Sequence, residues 1–152
     1  MSNLSNFIIP ERVLKGALVK SRKRIFEVLA HLLDTPEAVT TNVIYQALFE
    51  RERLGSTAIG KGVVIPHARV EGLSLTRMAV IILDEPLKYD TPDNQLVDIF
   101  IGVIFPKEVK DVHLSFMAHL TGLLRSENFR NQLREAESNE PLYQLFSAQE
   151  TA

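Results

Sequence analysis

The stretch "GSTAIGKGVVIPHARV", Gly55 to Val70, ends an apolar run with a proline and, directly after it, a histidine. Pro66 fixes its own φ and biases Ile65 to an extended backbone, so the run "VVI" is expected to deliver His67 at its end on a stiff chain. Strand ends and loops on a rigid scaffold are where functional side chains concentrate. A neutral imidazole is a good nucleophile near neutral pH and can carry a phosphoryl group. Accepting one needs donors around the dianion, a cation nearby, and a partner on the other ring nitrogen to fix the tautomer. The neighbouring sequence supplies candidates. Ser56 and Thr57 offer hydroxyls, the glycines (Gly60 among them) let backbone N–H groups approach closely, and Arg51 lies just upstream at the end of a helical stretch. His113 sits near the expected start of a later helix, where the dipole and free N–H groups favour anions. On residue types alone two readings stand. One is a phosphoryl-accepting histidine; the other is a packed structural histidine, the commoner fate of such a residue beside an apolar run.

Other chemistries find little support. Gly55 and Gly60 are followed by Lys61-Gly62 rather than by a phosphate-binding G-x-x-x-x-G-K-[ST] loop. No H-E-x-x-H occurs, and His31, His67, His113 and His119 lack paired metal-ligand spacing. His113 and His119 are six residues apart, which places them on different faces of a helix. A nucleophile elbow G-x-S-x-G is absent, and with no cysteine there are no disulfides or thiolate metal sites. Neither a metal nor a cofactor is expected.

The elements that must position His67 can be read from the periodicity. Ile25, Val28, Leu29, Leu32 and Leu33 recur at helical spacing behind Ser21, a suitable N-cap, with Arg22 and Lys23 on a basic face. His31 falls among the core positions of that helix. "TNVIYQALFERER" predicts a second helix, capped by Thr40 or Thr41 and ended by a C-terminal glycine, Gly55. The period then changes. "GVVIPHA", Arg77 to Leu83 and Gln95 to Phe105 are continuous and rich in β-branched residues, as buried strands are, and Pro86, Pro92 and Pro106 mark turns. From Asp111 the pattern is helical again in three pieces, with Ser126 and Ser138 as N-caps of the last two, "EVKD" before them as a solvated loop, and Phe116, Met117, Leu120, Leu123 and Leu124 at core spacing. Helices, strands and helices without a flexible linker predict one domain over residues 1–152, an α/β sandwich in which a mixed β-sheet is flanked by helices.

Composition narrows the class further. Of 152 residues, 45% are hydrophobic and 24% charged, with 17 Lys and Arg against 19 Asp and Glu. A net charge of −2 does not favour a nucleic-acid or anionic-membrane binder. The N-terminus lacks a signal-peptide pattern, and "MAVIIL" and "IFIGVIF" are too short to cross a bilayer. A cytoplasmic location is the expectation.

The segment "ERLGSTAIGKGVVIPHA", Glu52 to Ala68, resembles the active-site signature of the fructose/mannitol-type enzyme IIA domains of the bacterial phosphotransferase system. That signature runs from an acidic or amide residue through an apolar-glycine pair to Pro-His and a small residue. Ile59-Gly60, Val63, Ile65, Pro66, His67 and Ala68 fall in place, while Val64 stands where the family usually has alanine. "LFERERLGST", "TPDNQLVDIFIGVIFP", "HLSFMAHL" and "ESNEPLYQLF" extend the likeness along nearly the whole chain, to the nitrogen-regulatory branch of that family.

The resemblance implies a mixed sheet with helices on its faces, and a phosphohistidine carrier rather than a free-standing small-molecule enzyme. It implies that His67 receives phosphate, on Nε2, from a phosphorylated HPr-type carrier, itself charged from phosphoenolpyruvate by an enzyme I. Arg51 corresponds to the arginine beside the phosphoryl group and His113 to a second, assisting histidine; Ser56, Thr57 and Gly60 belong to the approach loop as phosphoryl-binding candidates. The implied partners are the HPr-type carrier and regulatory target proteins, with no nucleic acid and no membrane insertion. A sugar-specific IIA passing phosphate to a IIB protein is the alternative within the class, and a non-catalytic interaction module is the alternative outside it.

Overall fold

The computed structural model describes residues 4–34, 40–108 and 111–149. Most of the interruption expected at "DTPEAVTT", and the middle of the loop expected at "EVKD", lie outside these residues. After two short 3-10 turns, Leu4–Asn6 and Pro10–Arg12, the elements are β1 (Val13–Ala17), α1 (Arg22–Leu33), α2 (Thr41–Leu54), β2 (Ala58–Gly60), β3 (Val63–Val64), β4 (His67–Val70), β5 (Arg77–Leu87), β6 (Val97–Pro106), α3 (Asp111–Arg125), α4 (Glu127–Glu135) and α5 (Asn139–Ser147).

The sheet is mixed, in the order β1-β5-β6-β3-β2, and β4 also pairs with β6. β5 and β6 are antiparallel, whereas β1 on β5, and β3 and β4 on β6, are parallel. β3 and β4 therefore lie end to end along one edge of β6, with Val64 opposite Phe100 and His67 opposite Val103. Both faces of the sheet are covered, which is why its strands read as continuous apolar runs. Along β6, Ile99, Ile101, Val103 and Phe105 pack on the face carrying α3, α4 and α5; Val97, Phe100 and Ile104 pack on the face carrying α1 and α2. The same alternation runs through β5 and splits Val63 from Val64. Gly102 makes room for α1, since a Cβ there would lie 3.1 Å from Leu29 Cδ2.

The helix signals hold locally. Ser21 Oγ accepts the Arg24 N–H, Thr40 Oγ1 the Val43 N–H and Ser126 Oγ the Phe129 N–H, each satisfying a first-turn donor. Ser138 occupies an N-cap position without a side-chain bond. Gly55 ends α2, yet its φ of 166° is extended backbone and a Cβ there would meet nothing within 4 Å, so no left-handed cap requires the glycine. Pro86 marks no turn. It lies inside β5, where the register with β6 skips between Ile82 and Leu87 and releases the proline from the ladder. His31, expected among core positions, is exposed, because Phe26 and Ala30 take the buried stripe beside Ile25, Leu29 and Leu33.

Candidate functional site

His67 does not end a strand; it begins one. β3 stops at Val64, Ile65 and Pro66 bridge, and His67 is the first residue of β4. Proline explains the break. It has no N–H to give to a ladder, so the chain leaves β6 for two residues and rejoins when the Pro66 carbonyl accepts the Val103 N–H at 2.9 Å. This keeps the backbone on either side of the imidazole pinned to the central strand.

The ring itself is fixed by one bond. His67 Nδ1 lies 2.8 Å from the Ile65 carbonyl oxygen. A carbonyl only accepts, so Nδ1 carries the proton, and in the neutral ring Nε2 holds the free lone pair. Burial pushes the imidazolium below the usual histidine range, and the Arg51 guanidinium adds to that effect. The Ile65 hydrogen bond and the Glu52 carboxylate pull the other way without reversing it. The ring is thus held neutral, with its nucleophilic nitrogen defined.

His67 lines a cavity of about 610 Å³ between the end of α2, the start of β4 and the first turns of α3. Arg51 and Leu54 come from α2, Arg69 from β4, Phe105 from β6, and His113 and Leu114 from α3. Arg51 spends one N–H on the Gly55 carbonyl at 3.0 Å, a favourable place for a cation at a helix C-terminus, and is paired with no carboxylate within 4.0 Å among the described residues. His113 is 5% exposed and stacks on Phe105 with centroids 4.4 Å apart. Both of its ring nitrogens are buried without a partner among the described residues. Burial first, and then the Arg69 charge, push its imidazolium below the usual range. A buried polar group left unbonded is unfavourable unless something else fills the space. The arrangement therefore offers one nucleophilic nitrogen and two guanidinium groups around one opening, with the buried His113 ring in its wall.

The structure brings together Arg51, His67 and His113, but not the three loop residues. Ser56 Oγ donates to the Asp90 carbonyl at 2.7 Å and accepts the Ala58 N–H. Thr57 is buried, with its N–H and hydroxyl both given to Glu52. Gly60 is opposed by Asp93, whose Oδ2 would lie 3.1 Å from a Cβ added there. None of the three lines the His67 cavity; they build the chain leading to it. Val64 is fully buried toward α1 and α2, so its added bulk is absorbed in that core. Arg69 went unnoticed in sequence because "HARV" carries only a lone basic residue; its position two residues after His67 in an extended strand, on the same side, was the available signal.

A family model described as "Phosphoenolpyruvate-dependent sugar phosphotransferase system, EIIA 2" matches residues 6–149. The chain belongs to that family. Within it, the likeness is to nitrogen-regulatory members. The chain is 33% identical over 147 residues to a nitrogen regulatory protein of Pseudomonas aeruginosa, covering 95% of each chain. It superposes on the crystal structure of nitrogen regulatory protein IIA-Ntr from Neisseria meningitidis with a TM-score of 0.89 and 29% identity, covering 94% of this chain and 98% of that one. The crystal structure of IIA mannitol from Escherichia coli shares the fold, with a TM-score of 0.72 at 19% identity over 90% of this chain and 96% of that one. No helix of the described residues is long and apolar enough to cross a membrane.

Proposed function

We propose that this chain is a phosphocarrier and regulatory protein that accepts a phosphoryl group on His67 Nε2 from a phosphorylated HPr-type carrier of a nitrogen-branch phosphotransferase system. The observation that carries the reading is the His67–Ile65 bond, which leaves Nε2 free in a cavity lined by Arg51, Arg69 and a His113 that has no partner among the described residues.

The transfer is an in-line displacement. The Nε2 lone pair attacks phosphorus, the P–N bond to the donor's imidazole breaks, and the electron pair returns to the donor nitrogen. No proton has to leave His67 in that step, because Nδ1 keeps its proton in the hydrogen bond to the Ile65 carbonyl, which also stabilises the positive charge the ring gains. Arg51 and Arg69 offset charge on the equatorial oxygens; such transfers rely on positioning and electrostatics more than on covalent help. A turn of the His113 ring, whose nitrogens are buried at rest, would bring one of them to a phosphoryl oxygen without a change of protonation. The partner's own histidine has to come within reach of Nε2, and Leu54 and Leu114, 85% and 74% exposed at the cavity's lining, give it apolar surface to cover. Once charged, the site carries about −1.5 to −2 of additional charge, enough to change which regulatory targets bind there.

Incubation with phosphoenolpyruvate, an enzyme I and an HPr-type carrier tests the reading. Acid-labile phosphate on the wild type and none on His67→Ala supports it. A wild type left unlabelled while the carrier is charged makes the chain an interaction module, and rapid onward transfer to a IIB protein makes it a sugar-branch component.

A further inference from the structure

Glu52 follows Arg51 on the last turn of α2 but points the other way, and it is only 3% exposed. Three donors hold its carboxylate: the Thr57 N–H at 2.9 Å and the Tyr89 hydroxyl at 2.8 Å on Oε2, and the Thr57 hydroxyl at 2.6 Å on Oε1. None of the ion pairs within 4.0 Å among the described residues includes it. A carboxylate buried on neutral donors alone is expensive to desolvate, so its presence calls for a reason.

The reason lies in what Thr57 does next. Its carbonyl accepts the Ile65 N–H at 3.2 Å, and the Ile65 carbonyl in turn takes the His67 Nδ1 proton at 2.8 Å. Tyr89, the far anchor, is itself braced by edge-on contact with Phe100 and by the Arg22 guanidinium over its ring at 5.6 Å. Burial and the Glu52 charge push the Tyr89 hydroxyl far up, so it remains a donor at any ordinary pH. We propose that Glu52 is a positioning residue for His67: through Thr57 and Ile65 it fixes the carbonyl that selects the Nδ1-protonated ring and turns Nε2 to the cavity. Its purpose rests on the phosphocarrier reading, but its geometry does not, because the tautomer belongs to the unphosphorylated protein. The charge has a second consequence. The charged or titratable groups lining the cavity with His67 are Glu50, Arg51, Arg69 and His113; Glu50 pairs with Arg53 at 2.7 Å, and Glu52, which lies outside that lining, is the carboxylate that favours a positive imidazole.

Two substitutions separate charge from geometry. In Glu52→Gln, the amide oxygen accepts the Thr57 N–H and the Tyr89 hydroxyl, and the amide N–H donates to Thr57 Oγ1, so all three contacts survive without the charge. Glu52→Ala loses both. The readouts are imidazole nitrogen NMR of His67, and labelling by phosphoramidate, a small phosphoryl donor that needs no docking partner. Glu52→Gln is expected to keep the Nδ1-protonated tautomer while His67 titrates at lower pH. Glu52→Ala is expected to mix the tautomers and slow labelling roughly tenfold or more, as loss of orientation does. A folded Glu52→Ala with the wild-type tautomer and rate overturns the proposal. Should that variant fail to fold, Thr57→Val, which removes one contact, takes its place; a wild-type tautomer there, with unchanged titration in Glu52→Gln, also overturns it. If no variant is labelled yet the tautomers change as described, the phosphocarrier reading fails and the positioning role stands.

Discussion

The segment from Lys61 to His67 runs between two cavities of nearly equal size, about 630 Å³ at its start and about 610 Å³ at its end. Their charges are in opposite states. At the Lys61 end, Arg134 forks onto Asp98 with two bonds of 2.9 Å and onto the Lys61 carbonyl at 2.7 Å. Asp93 there accepts the Lys61 and Gln95 N–H groups, and Arg130 donates to the Leu124 carbonyl at the end of α3. At the His67 end, Arg51 has one backbone acceptor and His113 has no partner among the described residues. Volume therefore does not distinguish the candidate site from a brace. Unspent hydrogen-bonding capacity does, because paired groups hold a turn in place while unpaired ones are ready for a ligand.

The largest effect that would sharpen this contrast is on transfer. Arg51→Ala should slow phosphorylation of His67 on the order of 10²-fold, by analogy with removal of a transition-state donor. Its folding stability should stay within about 0.5 kcal/mol of wild type. Normal transfer kinetics would remove Arg51 from the site. Gly62→Ala should do the reverse: Gly62 has a φ of +83°, and a Cβ would stand 2.6 Å from Arg134 Nη2. A loss of about 1–3 kcal/mol in chemical denaturation is expected from the strained backbone and the displaced fork. Asp98→Asn, which weakens the half-buried fork, should cost about 1 kcal/mol, and a stability equal to wild type would show the brace to be idle.

The smallest effect is the pH dependence. The folded state lowers the pKa of both His67 and His113 from 6.5, so below that value the unfolded chain binds protons first. Stability should be full above pH 6.5 and decline as pH falls through the folded values. His113→Phe should flatten that decline and leave stability at pH 7 unchanged or higher, since it replaces two unpartnered nitrogens with apolar surface on Phe105, while phosphoryl transfer slows. A variant with the same slope as wild type would take His113 out of this linkage.

The sequence made the site's centre legible and its surroundings only partly so. "VVIPH" announced a stiffly held histidine because proline acts on its immediate neighbours. Helix boundaries were equally local, written in Ser21, Thr40 and Ser126. What failed to show depended on distant partners. β1 mixes Lys15 and Gly16 into five residues and becomes a strand by pairing in parallel with β5, a contact with no local signature. β2, only Ala58–Gly60, is defined by β3 folding back on it. The hydroxyls of Ser56 and Thr57 were visible, but their acceptors were not: Asp90 lies 34 residues away, and Glu52, though only five residues from Thr57, is a carboxylate whose burial no local pattern announces.

The central claim is that His67 presents Nε2 because Nδ1 is held by Ile65. Nitrogen-15 NMR of the phosphorylated protein, labelled at histidine, tests it most directly. A phosphorus coupling at Nε2 of His67, with the Nδ1 proton still hydrogen-bonded, is the predicted result. Coupling at Nδ1, or on any histidine other than His67, would contradict it.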